Sequence, residues 1–366
     1  MGRLFVYDEN MTDERAKITV EKMAKIADIV APEKAYIVGN SDFNGVTILE
    51  NCVIGVGKSV FKTVETVLTK ANLDQGSDFV MGTDYFVYIC DPGTNDQDEI
   101  YLISSNESWP DGDIWDDVNT RKIGGFHYGR IRKTDEYGRA VNAAGAVRGS
   151  GFESNVTVGI IPNSVWTTKH RPTCNPAGMV YLGNHTWGDI YLASNDGGYG
   201  FASVYNANPI TGTEGINWYI AAERARTVGK RLPDYAEFCN AADGAPQGLD
   251  NSNTNAWSAT TNTGRHAVGT IANAVSSKNV CDLVGNVWKW LNELLHDPTA
   301  ASGAWYDVFG GGYGQAWMYS STGLHALRGG GYWSNGVRGG SRAVSCGSYP
   351  WYAGADIGVW CVCDSL

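Results

Sequence analysis

The residues able to carry covalent chemistry in this 366-residue chain are eight cysteines, six histidines and a few closely spaced carboxylates. Cys52, Cys90, Cys174, Cys239, Cys281, Cys346, Cys361 and Cys363 are scattered, without the paired C-x-x-C spacing of a zinc site. A chain of this length needs no disulfide staples, so free, partly buried thiols are expected. Cys346 stands alone; Cys361 and Cys363, one residue apart, are expected on opposite faces of a strand, where they could not cooperate. Asp234 and Glu237 stand three apart in a predicted helix and could form a catalytic carboxylate pair. First-turn acids that complement a helix dipole account for them better. The histidines (127, 170, 185, 266, 296 and 325) show no i, i+4 pair, and His127 and His185 fall within apolar segments, as hydrogen-bonded core residues would. Gly310-Gly311-Gly312 is followed by Tyr313 and by no Lys-Ser/Thr, so it reads as a turn and not a phosphate loop. Neither Glu-Pro-Asn nor Trp-Asn-Asp occurs, which argues against calcium-dependent sugar binding. No catalytic residue, metal or cofactor is expected.

A second chemistry is non-covalent recognition. From Ala326 the chain reads ALRGGGYWSNGVRGGSRAVSCGSYPWYAGADIGVWCVCDSL, with no Lys, Glu, Gln or Met. The last of each are Lys289, Glu293, Gln315 and Met318. Tyr, Ser, Gly, Asn and Arg suit a binding surface, because Tyr gives large amphipathic contact at low rotamer cost and Ser, Gly and Asn adapt their hydrogen bonds. Ordinary loops of a Gly-rich fold would have the same composition, and composition alone leaves both readings open.

These residues must be positioned by elements the rest of the chain supplies. With 43% hydrophobic positions it can bury full cores in two or three domains, and its 46 Gly, 13 Trp and 19 Tyr suit short strands and tight turns. A net charge of −11 without a basic cluster excludes a phosphate-tracking nucleic-acid binder. The N-terminus shows no signal-peptide pattern and no run of about 18 apolar residues occurs, so a product made in the cytoplasm, without membrane insertion, is expected. Residues 12–30 predict an amphipathic helix with Ile18, Met23, Ile26 and Val30 along its apolar stripe. Alternating segments from about 35 to 135 predict a β-sandwich. The Gly/Ala-rich stretch 134–155 predicts the domain junction. Beyond it, NWYIAAERARTV predicts a helix ending at Gly229, and DYAEFCNAAD a second short one. Val284, Val287, Trp288 and Trp290 alternate as in a buried strand, and the remainder reads as loops.

Three separated pieces carry a resemblance. Gly229-Lys230-Arg231-Leu232-Pro233 with Glu237-Phe238, then Gly285-Asn286-Val287-Trp288-Lys289-Trp290, then Leu327-Arg328-Gly329-Gly330, resemble in order the signature of the C-type-lectin-like fold. That fold is shared by formylglycine-generating enzymes and by the variable proteins of diversity-generating retroelements. GTDYFVYICDPGT, RKIGGFHY and MVYLGNHTWGDIYL further resemble the variable receptor-binding proteins of phage tail-fibre tips, which the enzymes do not. The resemblance implies an α+β chain: a segment over 1–43 for attachment and oligomerisation, a β-sandwich over 44–135, a linker over 136–154, and a C-type-lectin-like variable domain over 155–366. It implies a homotrimer in the virion that contacts other tail-fibre proteins and binds a bacterial cell-surface receptor.

Such retroelements replace adenines and favour Asn codons ending in a pyrimidine, which after replacement never specify Lys, Glu, Gln, Met or Trp. On this reading Tyr332, Ser334, Asn335, Val337, Arg338, Ser345, Gly347, Ser348, Tyr352, Gly354 and Asp356 form the variable, ligand-binding face. Trp288, Trp290, Arg328, Gly329, Gly330, Trp333 and Trp360 form its fixed scaffold, and Trp351 is fixed too. The alternative implied by the shared fold is an enzyme of the formylglycine-generating, sulfatase-modifying type.

Overall fold

The computed structural model describes residues 3–6, 29–57, 59–93, 99–249, 254–297, 303–310, 312–318 and 322–366. They group into two compact units, Met1–Gly129 with Gly159–Arg171, and Arg130–Val158 with Pro172–Leu366.

The first unit is built of short strands: β1 (Arg3–Val6), β2 (Ile37–Gly39), β3 (Gly45–Ile48), β4 (Val53–Val56), β5 (Ser59–Lys62), β6 (Thr66–Thr69), β7 (Thr83–Cys90), β8 (Ile100–Ser104), β9 (Thr120–Arg132), β10 (Val156–Ile160) and β11 (Trp166–Thr167). They form sheets of order β1-β5-β4, β2-β3-β6 and β10-β9-β7-β8, with β11 added to β9. Their alternation buries Tyr36, Ile54, Phe61, Val87, Ile89 and Phe126 in one core. Polar groups inside are paired: the Tyr36 hydroxyl donates to Ile123 O at 2.7 Å, and His127 Nδ1 lies 2.9 Å from Asp84 Oδ1. The helix expected over 12–30 lies outside the described residues up to 28. Ile29 is buried in the core and Val30 bridges Val53 as a strand residue. The described parts of 1–43 thus add strands to this unit: β1 pairs with β5 and β2 with β3.

The second unit holds β12 (Met179–Gly183), β13 (Thr186–Asp189), β14 (Ala193–Asn195), β15 (Phe201–Ser203), α1 (Trp218–Thr227), α2 (Tyr235–Ala242), β16 (Trp288–Asp297), β17 (Ala304–Tyr306), β18 (Ala316–Met318), β19 (Gly323–Gly329), β20 (Val344–Ser348), β21 (Ile357–Gly358) and β22 (Val362–Asp364). The main sheet runs β17-β18-β20-β19-β16-β21, beside β12-β13-β22 and the β14-β15 hairpin. The C-terminal region expected as loops therefore supplies most of this sheet; its strands are too short and Gly-interrupted to show a period. Val284 and Val287 are buried but precede the strand, in a turn with positive φ at Asp282, Gly285 and Asn286.

GKRLP and the acids after it are explained by the start of α2. Asp234 Oδ1 accepts the Glu237 amide at 2.7 Å, and Glu237 Oε2 accepts the Asp234 amide at 3.0 Å, a reciprocal cap. Glu237 also takes both terminal nitrogens of Arg231 at 2.7 Å. Burial raises the Glu237 carboxyl, and this pairing outweighs burial, leaving it below its usual pKa. Lys230 makes a buried 2.6 Å ion pair with Asp189 of β13.

Three expectations need correction. His185 is exposed: with Asn184 it takes positive φ in the β12-β13 turn, where twist demands a left-handed pair, so its apolar flanks are the two strands. The linker stretch 136–154 groups with the second unit. Buried Arg132 donates to Phe152 O, Glu153 O, Asn273 O and Val275 O, holding a segment that has no apolar period of its own. Cys361 and Cys363 lie two positions apart, and a strand of period two puts such residues on one face. Both are buried: Cys363 Sγ donates to Gly229 O at 3.3 Å and lies 3.1 Å from Thr173 Oγ1, while Cys361 O accepts the Asp189 amide at 3.0 Å. None of the eight cysteines is joined in a disulfide.

Candidate ligand-binding site

The register of the main sheet assembles a site floor from residues far apart in sequence. Trp305 of β17 pairs with Trp317 of β18, Trp317 with Ser345 of β20, and Ser345 with Arg328 of β19. Paired residues share a face, so the four form one cross-strand row. Trp288, at the start of β16, stacks on Trp305 with ring centroids 6.4 Å apart and planes 14° from parallel. Tyr332, Ser334, Asn335 and Arg338 from the loop after β19, with Asp356 before β21, complete the lining of a cavity of about 330 Å³.

The loop's backbone is held mainly by residues outside the loop, with one tie of its own, Asn335 Oδ1 accepting the Tyr332 amide at 2.9 Å. Gly330 N donates to Ala343 O at 2.8 Å, Gly285 N to Gly330 O at 3.1 Å, and Trp333 N to Asn286 O at 2.9 Å. Ser258 Oγ reaches Tyr332 O and Gly336 O, Asn262 Nδ2 reaches Trp333 O, and Gln247 Oε1 accepts the Ser341 amide at 2.6 Å. Gly330 has φ +88°, and a Cβ there would stand 2.1 Å from Leu283 O. Beneath it the fully buried Lys289 donates to Leu283 O at 2.7 Å and Gly285 O at 2.8 Å. Burial pulls the Lys289 pKa well below its usual value, and a neutral amine with two N–H donors satisfies both carbonyls.

Two guanidinium groups dominate the cavity's electrostatics. Arg328 lies over Trp288 at 5.1 Å and Arg338 over Trp305 at 5.2 Å from the ring centroids. Asp356 Oδ2 stands 3.9 Å from Arg328, and burial lowers the Arg328 pKa against the pull of that carboxylate.

Of the expected variable face, Tyr332, Ser334, Asn335, Arg338, Ser345 and Asp356 line the cavity. Val337 and Tyr352 are exposed outside its lining. Ser348 is buried in register with Ala326, and Gly354 is buried where a Cβ would meet Asp356 Oδ1 at 2.6 Å, so neither presents a free side chain. Gly347 follows Cys346 within β20 and is half-buried. Among the scaffold residues, Trp290 and Trp360 are fully buried, Gly329 packs on Phe238, and Trp333 is half-buried edge-on to Tyr332. Trp351, expected with them, is 57% exposed and stacks flat on Tyr349. Sequence reasoning missed Trp305 and Trp317, which sit on three-residue strands and join the site only through register. It also missed the anchors Gln247, Ser258 and Asn262, while Asn286 stood in the fold signature without an assigned role. Among the described residues no cluster of three or more His, Cys, Asp or Glu is placed to hold a metal, and no helix is long and apolar enough to cross a membrane.

Residues 36–153 match the family described as Mtd second domain, and residues 132–365 match the sulfatase-modifying factor enzyme 1-like domain. The chain is 30% identical over 331 residues to the tail fiber receptor-binding protein of Bordetella phage BPP-1, covering 85% of this chain and 77% of that protein. Among solved structures it is similar to the Major Tropism Determinant U1 variant, with 26% identity, a TM-score of 0.67, and 93% and 86% of the two chains covered. The P3c variant gives 25% identity, a TM-score of 0.68, and coverage of 94% and 88%. These likenesses give the second unit a C-type-lectin-like fold. The chain belongs to the family of phage tail-fibre receptor-binding proteins that includes the major tropism determinants, and its residues 132–365 to the sulfatase-modifying factor enzyme 1-like domains.

Proposed function

We propose that this protein is a phage tail-fibre receptor-binding protein and that the cavity with its rim is the face that meets a host bacterial surface receptor. The observation that carries this reading is the division of labour in the loop after β19. Its backbone is pinned by Ser258, Asn262, Asn286 and Gln247, while Ser334, Asn335 and Arg338 turn into the cavity. Ser334 and Arg338 can then change without the loop losing those supports, whereas Asn335 also ties its own turn by accepting the Tyr332 amide at 2.9 Å. The restricted residue types after Met318 fit diversification by a retroelement acting on adenines, with Tyr332, Ser334, Asn335, Val337, Arg338, Ser345, Tyr352 and Asp356 as changing positions. Gly347, Ser348 and Gly354 were expected in that set, and Ser348 and Gly354 have the least room to change.

The protein acts in the virion as a homotrimer, joined to other tail-fibre proteins through its N-terminal part, and is not an enzyme. Of the C-terminal cysteines that the enzymatic alternative would draw on, Cys361 and Cys363 are buried, Cys346 is half-buried, and none of the three lines the cavity. Displayed in several copies, it should adsorb to host cells and block infection by the phage that carries it. Clustered protein that leaves infection unaffected would refute the receptor assignment. A gene without a nearby copy of its final segment differing at adenines would refute the diversification, and a monomer mass in light scattering would refute the trimer.

A further inference from the structure

The two arginines of the cavity lack the partner their chemistry calls for. Arg328 Nε is buried without a hydrogen-bond partner, and its ion pair with Asp356, at 3.9 Å, is longer than a hydrogen bond. Arg338 makes no side-chain hydrogen bond among the described residues; the Trp305 ring fixes its place. In a chain of net charge −11, two guanidinium groups face one carboxylate in this cavity, which leaves it locally cationic.

We propose, resting on the receptor-binding reading above, that the cavity takes the side-chain carboxylate of an Asp or Glu on a receptor protein. A carboxylate matches the fork of a guanidinium bidentately and would satisfy the unused donors of Arg328, with Arg338 closing from the rim. A cavity of about 330 Å³ suits one inserted side chain more than an oligosaccharide. The guanidinium groups also cover ring faces of Trp288 and Trp305 that a sugar would need for stacking. Ser334 and Asn335, beside the arginines, would read the residues flanking the acidic one.

The test titrates the full chain by calorimetry, at constant ionic strength and neutral pH, with four probes: N-acetyl-glutamate amide, N-acetyl-glutamine amide, glucuronate and propylphosphonate. The glutamate derivative should bind saturably and at least about tenfold more tightly than the other three, a difference of about 1.4 kcal/mol. Arg338→Gln, a substitution at an exposed residue that should fold, should weaken it by a similar factor. Equal binding of the glutamine derivative, tighter binding of glucuronate or phosphonate, or no effect of Arg338→Gln would each overturn the proposal. No host cell enters this measurement, so a failed adsorption assay with intact glutamate binding would sink the receptor reading alone. The reverse pattern would sink only the carboxylate anchor.

Discussion

The Arg338 guanidinium carbon lies 5.2 Å from the centroid of the Trp305 ring, although one residue sits on a surface loop and the other on an outer strand of the sheet. This contact clasps loop to floor. It leaves Arg338 exposed enough to be replaced at little cost in stability, since cation–π pairs at exposed sites contribute about 0.5–1 kcal/mol.

Gly330 is where the loop has least freedom. Because its φ is +88° and a Cβ would collide with Leu283 O at 2.1 Å, Gly330→Ala combines a strained backbone with a steric clash. Denaturant unfolding should show a loss of more than about 2 kcal/mol. A midpoint equal to the parent's would mean that the turn over Lys289 is not the support described.

Tryptophans split into two classes. Trp360 is fully buried and donates through Nε1 to Asp189 O at 2.7 Å, so Trp360→Ala should cost about 3–5 kcal/mol. Trp351 is open to solvent, and Trp351→Ala should change stability by no more than about 0.5–1.5 kcal/mol, the worth of its stack on Tyr349. Similar thermal shifts for both would contradict the assignment of Trp351 to the surface.

Lys289 gives a dependence on pH. Its folded-state pKa lies well below the unfolded value of about 10.4, so between the two the unfolded chain binds a proton that the folded chain does not. Through that window stability rises with pH and is lost as pH falls toward the folded pKa. Lys289→Met leaves two carbonyls without donors and lowers stability, but it should also flatten the pH profile below the unfolded lysine value of about 10.4 relative to the parent. Parallel profiles would show that Lys289 is charged in the fold.

Much of this architecture was legible where local chemistry decides it. Asn217 and Asp234 cap the two helices, Gly229 follows the first at φ +71°, and Arg328-Gly329-Gly330 marks the close passage over Phe238. Half of the site's floor was not legible: Ser345 and Arg328 were expected at the site, but Trp305 and Trp317 join them through pairings that leave no trace in neighbouring residues, including the parallel one of β18 with β20. Arg132 hid for a related reason: among the basic residues Arg130, Arg132 and Lys133 at the end of a strand, nothing marks the one that will hold four distant carbonyls. His185 misled because strand-like flanks on both sides resemble one continuous apolar segment.

The central claim, that a tolerant binding face sits on a fixed scaffold, is tested most directly by replacing Val337, Arg338 and Tyr352 together with Ala. All three are exposed, whereas Tyr332 packs against the core around Trp288 and would confuse folding with binding. The measurement is adsorption of clustered protein to host cells alongside thermal unfolding of the same sample. The account predicts a stability change of no more than about 1.5 kcal/mol, from three exposed positions, with adsorption abolished. Adsorption equal to the parent's, or unfolding as severe as that of Trp360→Ala, would contradict it.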